Sequence, residues 1–240
     1  MARLEPFFPK SHGKPRVDDR KVLSGIIFIN RNGLRWRDAP SEYGPHKTLY
    51  NRWKRWSDKS IFARMFVELA KPGDETDTLM IDATHLKAHR TAASLSQKGG
   101  KGRLIGLTKG GRNSKLHAVV DVLGRPIRLF MTAGHRSDYT GARVLLGDLP
   151  AASHLLADRG YDADWLRSGL EERGIFPCIP SRKNRKMQIP HDPERYKSRH
   201  KIEVMFGRLK DWRRVATTYE RSPIVFLSAI ALAALVIFWL

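Results

Sequence analysis

The chain is poor in cysteine and in acidic residues, and each shortage excludes a class of protein. Cys178 is the single cysteine among 240 residues, so an intramolecular disulfide and a cysteine-based zinc site are both excluded. Asp and Glu total 24 against 44 Lys and Arg, which gives a formal charge of +20. The positive side chains repel one another unless an anionic partner offsets their charge. Nucleic acid is therefore the leading partner, ahead of a membrane surface or a ribosomal setting.

Long apolar runs are almost absent as well. The first residues, MARLEPFFPKSHGKPR, contain no apolar stretch of the kind found in a secretory signal. One run, residues 224–240, is at the lower edge of the length that spans a bilayer. Since it is apolar on every side, we interpret it as a helix buried in the protein. We therefore expect a cytoplasmic, nucleoid-associated chain with no membrane partner.

The first 75 residues predict a small helical domain. Apolar residues recur at helical spacing over residues 17–30, and a second helical unit begins at residues 48–56 and continues to residue 69. Cations lie between the aromatic residues of this second unit, at Arg52, Lys54 and Arg55. The pattern favours a helix-turn-helix-like DNA-binding domain. The alternative is a helical bundle whose aromatic residues form the core and whose cations face solvent.

Residues 76–240 predict a second domain of a different class. A polar stretch with Pro and Gly over residues 71–78 indicates a linker between the two. Strands are predicted at 79–81, 116–122, 127–131, 155–157 and 175–179, and helices at 139–149, 163–173 and 194–215. This alternation predicts an α/β domain with a mixed sheet flanked by helices.

Two aspartates follow apolar strands of this domain. Asp82 follows residues 79–81, and Asp158 follows residues 155–157. A carboxylate at the end of a buried strand is costly unless something offsets its charge, and hard cations prefer such oxygen ligands. Because one aspartate after a strand is more often a turn former or helix cap, the interpretation depends on a third acid.

Glu203 is the candidate for that third acid. Taking about 100° per residue, Tyr196, Arg199, Glu203 and Lys210 fall within an arc of about 60° on the predicted helix. The apolar residues Ile202, Met205, Leu209 and Trp212 lie on the opposite side. One helix therefore buries an apolar face and presents a polar stripe with one carboxylate among cations, although a solvated face remains an alternative for this stripe alone.

The spacing of Tyr196, Arg199, Glu203 and Lys210 resembles the signature of bacterial insertion-sequence transposases of the DDE type. The segments MIDATHLKAHRTAA around Asp82, LLADRGYDAD around Asp158 and KLHAVVD at residues 115–121 resemble the same group, which is named after insertion sequence five. The resemblance covers nearly the whole chain. It implies a ribonuclease-H-like catalytic domain in which Asp82, Asp158 and Glu203 bind two Mg²⁺ or Mn²⁺ ions.

The activity implied by the resemblance is DNA transposition. Such a protein binds the terminal inverted repeats of an insertion sequence and catalyses metal-dependent cleavage and transfer of DNA strands. One ion lowers the pKa of a water and the other stabilises the leaving 3′ oxygen. Arg199 and Lys210 would hold phosphates, and Tyr196 would contact DNA beside the scissile bond. The implied partners are double-stranded DNA, as element ends and target, and further copies of the chain on that DNA.

A basic segment precedes Glu203. Its cations at Arg182, Lys183, Arg185 and Lys186 predict contacts to the DNA backbone, with a solvated loop as the alternative. Three other functions remain open: a nuclease of the same fold, a transposase-derived DNA-binding protein without catalysis, and a tyrosine recombinase. The recombinase would use Tyr196 as its nucleophile and would leave the paired aspartates unexplained.

Overall fold

The computed structural model describes residues 3–9, 17–71, 77–93 and 102–240. Its helices are α1 (Asp19–Asn32), α2 (His46–Asp58), α3 (Ile61–Leu69), α4 (Arg90–Ala93), α5 (Asp138–Leu146), α6 (Asp164–Glu171), α7 (Pro193–Lys197), α8 (His200–Lys210), α9 (Arg213–Ala216) and α10 (Pro223–Phe238). Its strands are β1 (Thr78–Ala88), β2 (Gly106–Thr108), β3 (Gly111–Val120), β4 (Pro126–Ala133), β5 (His154–Leu156), β6 (Phe176–Cys178) and β7 (Thr217–Thr218). Residues 72–76 of the predicted linker, with the predicted boundary at residue 75, lie outside the described residues.

The chain forms two compact units that differ from the linear division predicted from the sequence. The first unit contains Met1–Leu69, Ala88–Arg103 and Leu209–Leu240, and the second contains Ala70–Lys87 and Leu104–Arg208. The C-terminal residues thus belong to the same unit as the N-terminal helices. The interpretation of the apolar run as a buried helix agrees with this, because α10 packs against α1, α2, α3 and α9.

The first unit is built from helices with apolar faces. Helix α1 begins after Asp18, whose carboxylate accepts a hydrogen bond from the Arg20 amide, and it ends at Gly33 in the left-handed conformation with φ 74°. Val22, Ile26 and Ile29 are fully buried on one side of this helix. Helix α10 is apolar all round and has buried residues along most of its length. No helix in the described part of the chain has the length and apolar character to cross a membrane.

The second unit contains the predicted mixed sheet. Its strand order is β4-β3-β1-β5-β6, with the short β2 paired to the beginning of β3. Strand β1 is antiparallel to β3 and parallel to β5, and β5 is parallel to β6. Helices α5 and α6 pack on this sheet. The α/β class and the flanking helices predicted from the sequence are therefore confirmed.

Two elements differ from their predicted extents. Strand β1 continues well beyond residue 81, because pairing with β3 extends as far as Lys87 opposite Asn113. Asp82 consequently lies within a strand and not at its end. The predicted long helix over 194–215 is three helices, α7, α8 and α9. The Ser198 hydroxyl donates a hydrogen bond to the Arg195 carbonyl at 2.6 Å where α7 ends, and Trp212 has an extended backbone before α9.

Candidate active site

The register of the sheet brings Asp82 and Asp158 to equivalent positions. Met80 of β1 is paired with Leu156 of β5, and each aspartate lies two residues beyond its partner in that pair. Because side chains alternate across a strand and these strands are parallel, the two carboxylates belong to the same end and face of the sheet. The two aspartates that follow apolar strands in the sequence are thus brought together by the pairing of β1 with β5.

Asp82 is a half-buried carboxylate that accepts hydrogen bonds from two donors. Its Oδ1 accepts from the Ala83 amide at 2.8 Å, and its Oδ2 accepts from Arg199 Nη1 at 2.9 Å. Burial raises the pKa of Asp82 above its ordinary value, and the charge of Asp158 raises it further, against the opposing effects of Ala83 and Arg199. A cation near these two acids would favour the ionised form of Asp82.

Asp158 caps the turn that follows β5. Its Oδ1 accepts a hydrogen bond from the Gly160 amide at 2.8 Å, at the beginning of a 3₁₀ turn over Arg159–Tyr161. A β-carbon at position 160 would lie 2.8 Å from the same Oδ1, so a larger residue there would displace the Asp158 carboxylate. The helix-cap role that is common for such an aspartate is therefore present, together with the proximity to Asp82.

Arg199 joins Asp82 to Glu203. Its Nη2 donates to Glu203 Oε1 at 2.5 Å while Nη1 donates to Asp82, so one guanidinium lies between the two carboxylates. Although burial alone would lower it, the pKa of Arg199 is raised, chiefly by the charge of Asp82. The described residues contain no closed group of three or more metal-ligating side chains. Asp82 and Glu203, which share one guanidinium, carry the oxygen donors that a divalent metal prefers.

Tyr161 was not identified from the sequence. Its side chain is 1% exposed, and its hydroxyl has no hydrogen-bond partner among the described residues. Burial raises the pKa of Tyr161 well above its ordinary value, and the neighbouring charges include Asp138, Asp82 and Asp158. A buried hydroxyl without a partner is uncommon and is often found where a ligand binds. The only sequence signal was its position in the same RGYD segment that follows Asp158.

Two family models match the chain. The model described as "Putative transposase of IS4/5 family (DUF4096)" matches residues 1–66, and the model described as "Transposase DDE domain" matches residues 73–239. This chain belongs to the DDE-domain transposase family. The predicted resemblance and the transposase function are thereby confirmed.

Curated relatives of the transposase carry matching descriptions. A protein of Brucella ovis, described as "Putative transposase for insertion sequence element IS6501", is 39% identical over 132 residues, which is 53% of this chain and 98% of the relative. A Burkholderia cepacia protein, described as "Putative transposase for insertion sequence element IS402", is 28% identical over 137 residues, 52% of this chain and 63% of the relative.

The fold of the transposase is also found in a solved structure. The piggyBac transposase, in a synaptic complex with hairpin DNA, superposes with a TM-score of 0.56 at 11% sequence identity. The match covers 97% of this chain and 68% of that chain. It confirms the ribonuclease-H-like fold that the resemblance implied.

Tyr196 and Lys210 complete the signature of the transposase on either side of Glu203. The Tyr196 ring lies 6.0 Å from the Arg199 guanidinium and 5.4 Å from the His191 ring. Lys210 is the last residue of α8, and burial lowers its pKa. Seven residues separate Lys210 from Glu203, which is nearly two helical turns, so both belong to one side of α8.

The basic segment at residues 182–186 contains two kinds of cation. Arg182 donates from Nη2 to the Gly160 carbonyl at 2.9 Å and to the Tyr139 hydroxyl, while Arg185 pairs with Asp162 at 2.9 Å and Asp164 at 2.7 Å. Lys183 and Lys186 are exposed. The two arginines therefore have partners within the fold, whereas the two lysines are directed to solvent.

The cations predicted on α2 divide in a similar way. Arg52 is buried, donates to Asp19 at 2.5 Å and lies 5.5 Å from the centre of the Trp56 ring. Lys54 pairs with Asp58 at 2.5 Å on the exposed side, and Arg55 is exposed. Arg52 thus holds α1 and α2 together, while Lys54 and Arg55 keep the exposure that a DNA contact requires.

Proposed function

We propose that this transposase binds the terminal inverted repeats of an insertion sequence and catalyses metal-dependent cleavage and transfer of DNA strands. The observation that carries the proposal is the arrangement of Asp82, Asp158 and Glu203. Asp82 of β1 and Asp158, just after β5, each lie two residues beyond the paired residues Met80 and Leu156 of these parallel strands, and Asp82 shares one guanidinium with Glu203. We propose these three carboxylates as the ligands of two Mg²⁺ or Mn²⁺ ions.

The bound ions would supply a water of lowered pKa for attack and positive charge at the leaving 3′ oxygen. The chain itself has three tasks. Asp82 and Asp158 hold rigid positions, since one lies within a paired strand and the other caps a turn. Arg199 keeps Asp82 and Glu203 together, and once a cation occupies their oxygens its guanidinium is available to a DNA phosphate. The buried Tyr161 hydroxyl is an additional donor near this position.

Binding of DNA is proposed to use residues outside the carboxylates. The charge of +20 supports an extended contact with phosphates. We assign backbone contacts to Lys183 and Lys186, with Tyr196 and Lys210 beside the scissile bond. Sequence recognition is assigned to residues 1–75 and catalysis to residues 76–240, although residues 209–240 also support the first unit. Because an element has two ends, we expect a homo-oligomer on DNA.

A cleavage and joining assay tests the proposed function. The full chain is incubated with a labelled duplex carrying the inverted repeat that borders its gene, a supercoiled target plasmid and Mg²⁺ or Mn²⁺. The proposal predicts a nick that leaves a 3′-hydroxyl and transfer of that end to the plasmid. Cleavage without joining would instead indicate a nuclease, and a shift in mobility without cleavage a binding protein. A protein–DNA adduct through Tyr196 would indicate a tyrosine recombinase.

A further inference from the structure

A surface cavity of about 380 Å³ lies in the first unit. It is bordered by the 3₁₀ turn Trp36–Asp38 and by the first turns of α2. Its lining residues are Trp36, Arg37, His46, Lys47, Tyr50 and Asn51. The volume is within the range of pockets that hold small flat ligands, which is about 300–1,000 Å³.

The walls of this cavity are aromatic. The rings of Trp36 and Tyr50 meet edge to face with their centres 5.6 Å apart, and Tyr50 is 42% exposed. Trp36 also packs against the protein interior, since the centre of its ring lies 6.1 Å from that of the buried Trp53 and 5.4 Å from the Arg214 guanidinium. The fold therefore fixes one aromatic ring and leaves a second one accessible beside it, which is a platform suited to stacking.

The rim of the cavity is polar and positively charged. Lys47, Tyr50 and Asn51 are three and four residues apart, so they share one exposed side of α2. In the described part of the chain, Lys47 has no carboxylate within ion-pair distance, and the nearest one to Arg37 is Asp38 at 3.9 Å. The amide of Asn51 offers both a donor and an acceptor, the combination that reads the edge of a base.

We propose that this cavity binds one unpaired DNA base, stacked on Tyr50 and Trp36, with its flanking phosphates at Arg37 and Lys47. An apolar peptide side chain would fit the aromatic walls but would gain nothing from the cationic rim. A phosphate alone would fit the rim but not the walls. A nucleotide satisfies both. The proposal rests on the proposed function, because it takes DNA to be the partner. It places the contact with the base on the exposed side of α2, whereas Arg52 lies on the buried side.

The experiment compares two probes on the full chain without metal. One is a duplex with a single bulged 2-aminopurine, and the other is the same duplex fully paired. We expect quenching of 2-aminopurine fluorescence on binding and about tenfold tighter binding of the bulged probe, because stacking on an aromatic side chain stabilises an unpaired base. Tyr50→Ala should abolish both effects while Tyr50→Phe retains them. Val67→Ala, at an exposed site on α3, is the matched control.

Equal affinity for the two probes, or quenching that survives in both Tyr50→Ala and Asn51→Ala, would overturn the proposal. A Tyr50→Ala variant that loses affinity equally for both probes would make this surface a general duplex contact. Far-ultraviolet circular dichroism establishes that each variant is folded. The bulged probe needs no terminal-repeat sequence and no cleavage, so its binding can succeed when the proposed function fails. Conversely, metal-dependent cleavage can persist when the bulge preference is absent.

Discussion

Asp162 is a buried carboxylate that remains ionised because N–H groups surround it. Its oxygens accept from Arg167 Nε at 2.9 Å, from Arg185 Nε at 2.9 Å and from the Arg182 amide at 2.8 Å. Burial opposes ionisation, yet these donors together lower the pKa of Asp162 to about 2. The carboxylate therefore ties the turn after Asp158 to the basic segment, and the geometry of the active site depends on it.

Asp162→Asn is expected to destabilise the chain in a pH-dependent way. Since the pKa is lowered in the folded state, the stabilisation is fully present above the unfolded value near 3.8 and is lost as the pH falls through about 2. The difference in unfolding free energy should be about 2 kcal/mol at pH 7 and should shrink below pH 4. Urea unfolding of both proteins between pH 2.5 and 7 measures it. A difference that does not change with pH would contradict the assignment.

Tyr161→Phe is expected to raise stability and lower activity together. The change removes a buried hydroxyl that has no partner among the described residues, so the metal-free chain should gain about 1 kcal/mol in unfolding free energy. If the hydroxyl donates to a ligand in the active site, cleavage should slow by about tenfold and Mn²⁺ affinity should change. Thermal unfolding, Mn²⁺ titration and cleavage rates are the measurements. An unchanged rate with unchanged Mn²⁺ affinity would mean that the hydroxyl has no role in the site.

Mutations in the segment at residues 182–186 should show that its lysines bind DNA and its arginines stabilise the fold. Lys183→Ala with Lys186→Ala should weaken binding to every DNA sequence and flatten the log–log salt slope by about 0.9 for each phosphate that is no longer neutralised. Arg182→Ala with Arg185→Ala should lower the unfolding temperature, because these side chains bond to Gly160, Tyr139 and Asp162. Binding titrations at several salt concentrations and thermal unfolding distinguish the pairs. Equal effects of both pairs on both measurements would contradict the separation.

The sequence predicted those elements whose stabilising hydrogen bonds join residues close together in the chain. The hairpin of β3 and β4 was predicted from two apolar runs on either side of the turn residues 123–126. The turn is fixed locally, because Asp121 accepts from the Leu123 and Arg125 amides and Gly124 supplies φ 79°. Helix α1 was predicted over residues 17–30 from its apolar spacing, within two residues of its extent at each end, and its ends are fixed locally by Asp18 and Gly33. In each case the bonds that fix the element join residues close in sequence.

The sequence did not predict features that depend on a contact between residues distant in the chain. The buried state of Arg52 depends on Asp19, which is 33 residues away, so a cation on an amphipathic helix could not be assigned to the interior. The extension of β1 past Asp82 depends on pairing with β3. The three carboxylates were identified because their spacing resembled a known signature, but the guanidinium that joins two of them required the folded chain.

The whole molecule combines a strongly basic chain with three proposed catalytic acids, of which Asp82 and Asp158 are half-buried and Glu203 is exposed. In the proposed function, the charge of +20 would supply affinity for DNA in general, while the carboxylates would supply chemistry at one position. Helix α10 packs with the helices of the first unit, so a cut at residue 75 would divide that unit. Functional measurements therefore belong to the full chain.

Substitution of the three carboxylates tests the central claim most directly. Asp82→Asn, Asp158→Asn, Glu203→Gln and the triple variant are compared with the parent for cleavage of terminal DNA in Mg²⁺ or Mn²⁺. Because residues that act as one unit are non-additive, each single change should cost nearly as much as all three, with cleavage below detection and terminal DNA still bound. Glu172→Gln, on an exposed residue, should cleave like the parent, and EDTA should stop the parent. Full cleavage by Glu203→Gln, or cleavage by the parent in EDTA, would contradict the account.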